Sequence, residues 1–453
     1  MIVCRVRAIS VFVVYLDVMM KPQFLIAAPH SGAGKTTVTL GIIRALTSRG
    51  LRVQPYKCGP DYLDPKLHTL AAALQSINLD CFMMNDDHIK SQYRSYGAAA
   101  DVLVTEGVMG LFDGAVKMEG SSADLARLLN IPVILVINAK AMAYSAAALL
   151  LGFKMLCPEL QIAGVIFNFV AHDSHYQILK AAAEDVGISP LGFLPMHPKM
   201  QIPSRHLGLK TGREINHEEI IDQAATHISK HIDLDGLLRI TTTALAATVK
   251  TGYSSSHVPK RVLIAKDEAF SFTYAENIAA LSSIGEISYF SPLTDTQLPE
   301  TDLIYFPGGY PELHLKNLSG NKQLIRQLKA YHEKGGKILA ECGGMMYLGN
   351  EIADEDGQVY PMLGILDITT GMQHKRLSLG YKRLNIEGVE LRGHEFHYSQ
   401  FVGSPEGKSG VKVWNARNEA LDLPVFKTNN ILASYFHFYF GNNIEAIRQL
   451  LFD

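Results

Sequence analysis

The chain has 453 residues, enough for two or three domains that each bury a core, with 47% hydrophobic and 19% charged residues. Lys and Arg total 42 against 44 Asp and Glu, so no global field attracts nucleic acid or an anionic membrane, and neither is expected as a partner. Five dispersed cysteines (Cys4, Cys58, Cys81, Cys157, Cys342) exclude a paired disulfide framework or zinc spacing and suit a reducing cytoplasm.

At the N-terminus, Arg5 and Arg7 precede the apolar run Ile9 to Leu16, which is too short to span a bilayer and lacks a small-x-small cleavage site. Residues 1–19 are therefore expected to be a leader outside the fold, which begins near Met20. Phe24 to Ala28 is a buried-strand run, followed by Pro29-His30-Ser31-Gly32-Ala33-Gly34-Lys35-Thr36-Thr37. Val38, Ile42 and Leu46 then recur at helical spacing until Gly50. Strand, glycine loop, Lys-Thr and helix form a phosphate-binding arrangement. Backbone N–H groups and the helix dipole hold phosphates, Lys35 meets the terminal oxygens, and Thr36 is a Mg²⁺ ligand candidate. Pro29 stands where the strict pattern has Gly.

The loop Tyr56-Lys57-Cys58-Gly59-Pro60-Asp61-Tyr62-Leu63-Asp64-Pro65 offers two carboxylates for a metal or substrate, although such a loop by itself is more often a capped turn. Asp101 to Glu106 is a strand ending in an acid, a second metal-contact candidate. Val108 to Gly114, with Asp113, is too glycine-rich for a helix and suits close approach by a ligand. Ile131 to Ile137 and Ile162 to Phe167 are further buried strands, ending at Asn138 and Asn168. Strands alternating with helices imply a parallel sheet with its ligands at the carboxyl ends of the strands.

Thr, Ala and Ser-rich sequence over 241–259 marks an interdomain linker between domains at 20–240 and 260–453. In the second domain, Asp302 to Phe306 is a strand running into Pro307-Gly308-Gly309-Tyr310, a turn able to aim N–H groups at an oxyanion. Lys337 to Glu341 then runs into Cys342-Gly343-Gly344, where strand, sharp turn and helix present a thiol and the helix N-terminus favours thiolate. Ile431 to Phe440 is read as one apolar strand carrying His437, the leading base for that thiol. His394-Glu395-Phe396-His397 lacks the spacing of a zinc helix and points to a binding loop or domain contact.

Seven motifs in order resemble the cobyrinate a,c-diamide synthases, glutamine-using amidotransferases of corrin biosynthesis. They are A-P-H-S-G-A-G-K-T-T, K-C-G-P-D-Y-L-D-P, E-G-V-M-G-L-F-D-G, P-S-R-H-L-G-L (Pro203 to Leu209), A-E-C-G-G-M-M-Y-L, R-G-H-E-F-H-Y-S and S-Y-F-H. The resemblance implies an α/β protein of two domains, a P-loop parallel-sheet ATP-binding domain and a class I glutamine amidotransferase-like domain. It implies that Ser31, Gly32, Gly34, Lys35, Thr36 and Thr37 surround ATP phosphates and that Asn168 reads adenine. It further implies that Thr36, Glu106, Asp61, Asp64 and Asp113 provide the Mg²⁺ and phosphoryl site, and that Asp61, Tyr62 and Leu63 contact the tetrapyrrole. Cys342 and His437 would release ammonia from glutamine, with Gly308, Gly309 and Gly343 as the oxyanion hole. ATP, L-glutamine and a cobyrinate-type tetrapyrrole are the implied partners, and a homodimer is a candidate assembly. Tyr439 stands where many class I glutaminases carry an orienting Glu, which leaves a Cys-His dyad without a known third member. Competing readings are a nickel-sirohydrochlorin a,c-diamide synthase, and a P-loop regulatory or partitioning ATPase with an inactive glutaminase-like module.

Overall fold

The computed structural model describes residues 19–196, 216–245, 259–403, 405 and 411–452. The leader expectation therefore falls almost wholly outside the described residues, as does Pro203 to Leu209. Strand β1, Met19–Ala27, shows how the first sheet is built. Phe24 and Ile26 face one apolar cluster and Leu25 and Ala27 face another, so this stretch is a continuous apolar run buried on both sides. The other strands are β2 (Val53–Cys58), β3 (Ile77–Leu79), β4 (Val102–Glu106), β5 (Val133–Asn138), β6 (Ile162–Asn168), β7 (Ser189–Leu194) and β8 (Thr242–Leu245). They are ordered β3-β2-β4-β1-β5-β6-β7, with β8 antiparallel on β1.

Two boundaries differ from the sequence reading. Met19, expected in the leader, opens β1, and residues 242–245, expected as linker, pair with Met19 to Pro22. Backbone pairing captures a polar Thr-rich segment that hydrophobic periodicity does not reveal. Helix α1, Lys35–Ser48, follows the P-loop and buries Val38, Ile42 and Leu46. It packs on the helix His217–His231 at Gly41, where a Cβ would lie 2.6 Å from Ile228 Cγ1 and 2.9 Å from the Ala224 carbonyl oxygen. Burying each large aliphatic side chain there stabilises the fold by roughly 1.5–3 kcal/mol.

The second half is built on β9 (Lys260–Ala265), β10 (Gly285–Phe290), β11 (Leu303–Phe306) and β12 (Lys337–Glu341). The sheet order is β10-β9-β11-β12, continued by Ile431–Ser434 and Val425–Lys427. The segment expected as one strand over 431–440 is two. Ile431–Ser434 pairs with β12, whereas His437–Tyr439 pairs with Val389–His397 in an antiparallel sheet. The break at Tyr435-Phe436 lifts His437 over the carboxyl edge of the parallel sheet. Among the described residues no helix is long and apolar enough to cross a membrane.

The halves pack through aromatic residues. Tyr274 and Tyr439 join the core of the first sheet. Tyr96 donates to Glu276 at 2.7 Å, Tyr381 donates to Asp80 at 2.7 Å, and His88 Nε2 lies 2.7 Å from the Tyr439 hydroxyl.

Candidate active sites

Gly34 enters α1 at φ 95°, a conformation that favours glycine, and Gly32 shares it at φ 84°. The Pro29 carbonyl oxygen lies against Gly110, where any Cβ would come within 2.6 Å of it. The glycine-rich 107–114 loop is thus packed onto the P-loop, and Lys35 donates to the Met109 carbonyl. Burial pushes the Lys35 ammonium below its ordinary value, although Glu106 opposes the shift. Ser31 is exposed and Thr37 half-buried beside it.

Behind the loop lies a buried charge cluster. Thr36 donates to Glu106 Oε1 at 2.8 Å, and Lys57 Nζ lies 2.8 Å from Asp64 Oδ2 and 3.0 Å from Glu106 Oε1. His68 Nε2 meets Glu106 Oε2 at 2.6 Å. Burial alone would lower Lys57 and raise Glu106. Their mutual attraction, with Asp64 acting on Lys57, reverses both shifts and holds the lysine above and the glutamate below its ordinary value.

The expected metal residues divide accordingly. Thr36, Glu106 and Asp64 converge, whereas Asp61 Oδ1 accepts from the backbone N–H groups of Leu63 (2.7 Å) and Asp64 (2.9 Å). Asp113 Oδ2 accepts from Gly110 N at 3.0 Å, outside the cluster. Among the described residues, no group of three or more His, Cys, Asp or Glu is arranged to hold a metal alone. The hydroxyl and two carboxylates are nonetheless hard oxygen donors of the type Mg²⁺ takes while keeping several waters. Asn168 donates to the Ala33 carbonyl at 3.0 Å and accepts from Phe169 N at 3.0 Å, so in this structure its amide braces the P-loop. Lys57 and His68 were not singled out from the sequence. The burial of Lys57 in β2 emerges only from the structure.

The second site starts at Cys342, held at φ 48°, ψ −109° at the end of β12. Such backbone strain costs roughly 1–3 kcal/mol and is characteristic of a presented nucleophile. Its N–H donates to the Ser434 carbonyl at 2.7 Å, which ties the elbow to the segment leading to His437. A Cβ on Gly343 would lie 2.7 Å from Pro311 Cδ and 3.2 Å from the Gly309 carbonyl oxygen, so the elbow and the glycine turn are in contact. A Cβ on Gly308 would lie 2.3 Å from His437 Cε1, so Gly308 makes room for the imidazole.

The expected thiolate is a point of correction. Burial holds the Cys342 thiol above its ordinary value, Glu312 adds to the effect, and the Gly343 backbone only partly offsets it. Desolvation thus acts against the thiolate that the short helix after it favours, which leaves a part for a neighbouring base. His437 is itself buried and pushed well below its ordinary value by desolvation and by His394, whose ring stacks on it at 5.0 Å and 17°. His394 Nδ1 meets the Tyr274 hydroxyl of its own domain at 3.1 Å, and its ring lies 5.7 Å from that of Tyr62 in the first domain.

Tyr62 joins the two sites. Its ring stacks on Phe272 (5.1 Å, 1°) and lies 5.2 Å from His437. The loop expected to contact the tetrapyrrole therefore reaches His437, the expected base.

Comparison with known proteins gives two family matches. Residues 24–209 match the CobQ/CobB/MinD/ParA nucleotide binding domain and residues 261–444 the CobB/CobQ-like glutamine amidotransferase domain. The chain is 40% identical to the cobyrinate a,c-diamide synthase of Dehalococcoides mccartyi over 454 residues, covering 95% of this chain and 97% of that one. It is 38% identical to the Listeria innocua protein of the same name, covering 94% and 98% of the two chains. The hydrogenobyrinate a,c-diamide synthase of Brucella abortus is 39% identical, with 91% and 97% covered.

Proposed function

The chain belongs to the cobyrinate a,c-diamide synthase family, and on that premise we propose that it converts the a and c acetate carboxylates of a cobyrinate-type corrin to amides, using ATP and glutamine in the cytoplasm. A carboxylate is a poor electrophile. Its oxygen takes the γ-phosphoryl group of ATP with release of ADP, and ammonia then attacks the acyl carbon of the acyl phosphate and expels phosphate. Lys35 and the P-loop N–H groups hold the transferring phosphoryl group, where positioning and electrostatics provide most of the catalysis. Thr36, Glu106 and Asp64 would hold Mg²⁺, which when bound neutralises phosphate charge. Lys35 leaves the Met109 carbonyl to do its part. Tyr62 and Leu63 border the macrocycle, and Asp61 fixes their loop through its two backbone hydrogen bonds.

In the second domain His437 takes the Cys342 proton as the sulfur attacks the glutamine carboxamide. The N–H groups of Gly343 and of the Gly308-Gly309 turn stabilise the oxyanion. The proton passes to the departing ammonia, and water cleaves the thioester to glutamate.

The observation that carries this reading is the ring contact of Tyr62, from the proposed substrate loop, with His437, from the proposed ammonia-producing site, at 5.2 Å and a tilt of 48°. The test uses two variants and two nitrogen sources. Cys342→Ser is expected to lose glutamine-dependent amidation and to retain it with high ammonium, whereas Lys35→Ala fails with both. Loss of ammonium-dependent activity in folded Cys342→Ser protein would overturn the division of labour. Turnover of the nickel-containing tetrapyrrole alone would overturn the corrin assignment.

A further inference from the structure

The place two residues beyond His437, an acid in many class I glutaminases, holds Tyr439, whose hydroxyl is engaged by His88 of the other domain. Yet His437 Nδ1 is a buried nitrogen without a hydrogen-bond partner. A buried imidazole nitrogen left unmatched is costly unless a group nearby closes on it. The carboxylate oxygen beside it is Glu341 Oε2, 3.9 Å away.

Glu341 immediately precedes the nucleophile and is 1% exposed. Strand alternation places it with Leu339 on one face of the sheet and Cys342 with Ala340 on the other, so His437 at the strand end stands over both. Two contacts fix the carboxylate in place. Oε1 accepts from Phe438 N at 3.1 Å, the residue after His437, and Oε2 accepts from the Tyr305 hydroxyl at 2.8 Å. His394 stacks on the same imidazole and Tyr62 packs against it, while His397 adds repulsion to its protonated form.

We propose that Glu341 is the positioning residue of the glutaminase site, accepting a hydrogen bond from His437 Nδ1–H when the imidazole takes the Cys342 proton, and replacing the acid absent at Tyr439. The assignment rests on Cys342 and His437 being the glutaminase pair. The approach needed is about 1 Å, from the observed separation to a charge-assisted hydrogen bond. Such tightening is ordinary between a resting and a substrate-loaded site. Desolvation pushes the Glu341 carboxyl up to about 8 and His437 down, so neither carries charge readily alone. In the working form Glu341 has already lost its proton to solvent, and its carboxylate then offsets the imidazolium that the Cys342 proton creates in this dry pocket.

Glu341→Gln is the decisive variant. Glutamine-dependent kcat is expected to fall by about 10²-fold or more, the scale of acid–base catalysis, with KM little changed and ammonium-dependent amidation intact. Without the carboxylate His437 is harder to protonate, so the acid limb of the glutaminase kcat/KM profile moves to lower pH. Unchanged glutaminase activity overturns the proposal. A loss of rate with the limb unmoved also overturns it, because that is what a merely structural role would give. Should Glu341→Gln not fold, Tyr305→Phe decides. Removing the hydroxyl that favours the ionised carboxylate is expected to weaken the hold of Glu341 on the imidazolium and move the acid limb to lower pH, and a stationary limb refutes the role. Glutaminase activity in Cys342→Ser would overturn instead the pair on which the assignment rests.

Discussion

The ring of Tyr62 and the imidazole of His437 lie with centroids 5.2 Å apart, although 374 intervening residues and two different sheets separate them. Tyr62 belongs to a loop whose next acid, Asp64, is paired with Lys57 in the charge cluster behind the P-loop. The first domain's loop and His437 are thus linked through a single residue-to-residue contact.

Tyr62→Ala is therefore expected to uncouple the two reactions. Glutamate released per amide formed should rise several-fold above the wild-type ratio, measured by parallel assays of both products. An unchanged ratio would mean that the ring contact is packing alone.

A second expectation concerns space at the glycine turn. A Cβ at Gly308 would lie 2.3 Å from His437 Cε1, whereas nothing lies within 4 Å of one at Gly320. Gly308→Ala should lower glutaminase kcat by about 10²-fold, the scale of a displaced general base, and leave ammonium-dependent amidation unchanged. Gly320→Ala should behave as wild type. Equal activity of the two variants would refute a steric role for Gly308.

The Lys57, Asp64 and Glu106 cluster gives a stability prediction with a defined pH window. Glu106 is held below its ordinary value, so its contribution is present above about pH 4.3 and is lost as pH falls through the folded value. Lys57 is held above its ordinary value, so its contribution is full below about pH 10.4 and is lost only as pH rises through the folded value. Between those limits Lys57→Met leaves two buried carboxylates without their cation and should cost roughly 3–5 kcal/mol in denaturant unfolding. A cost under about 1 kcal/mol would mean that the cluster is solvated or protonated in solution.

By itself the sequence determined whatever depends on neighbours along the chain. An apolar run, a glycine bend and a helix period specify Phe24 to Leu46 as strand, P-loop and helix, and Leu339 to Leu348 as strand, elbow and helix, because turn and strand geometry are local. It also placed the motifs at the carboxyl ends of parallel strands. Tertiary structure alone decided which side chains meet. Sheet order brings β4 beside β2 and so joins Glu106 to Lys57, while Asp61, next door to the cluster in sequence, is engaged by two backbone N–H groups. The break at Tyr435-Phe436 moves His437 to a different sheet from Ile431–Ser434 and sets its Nδ1 beside Glu341. Burial pushes the Cys342 thiol up, against the short helix that pointed toward thiolate. Pairing and desolvation arise from groups distant in the chain, and a local pattern carries no record of them.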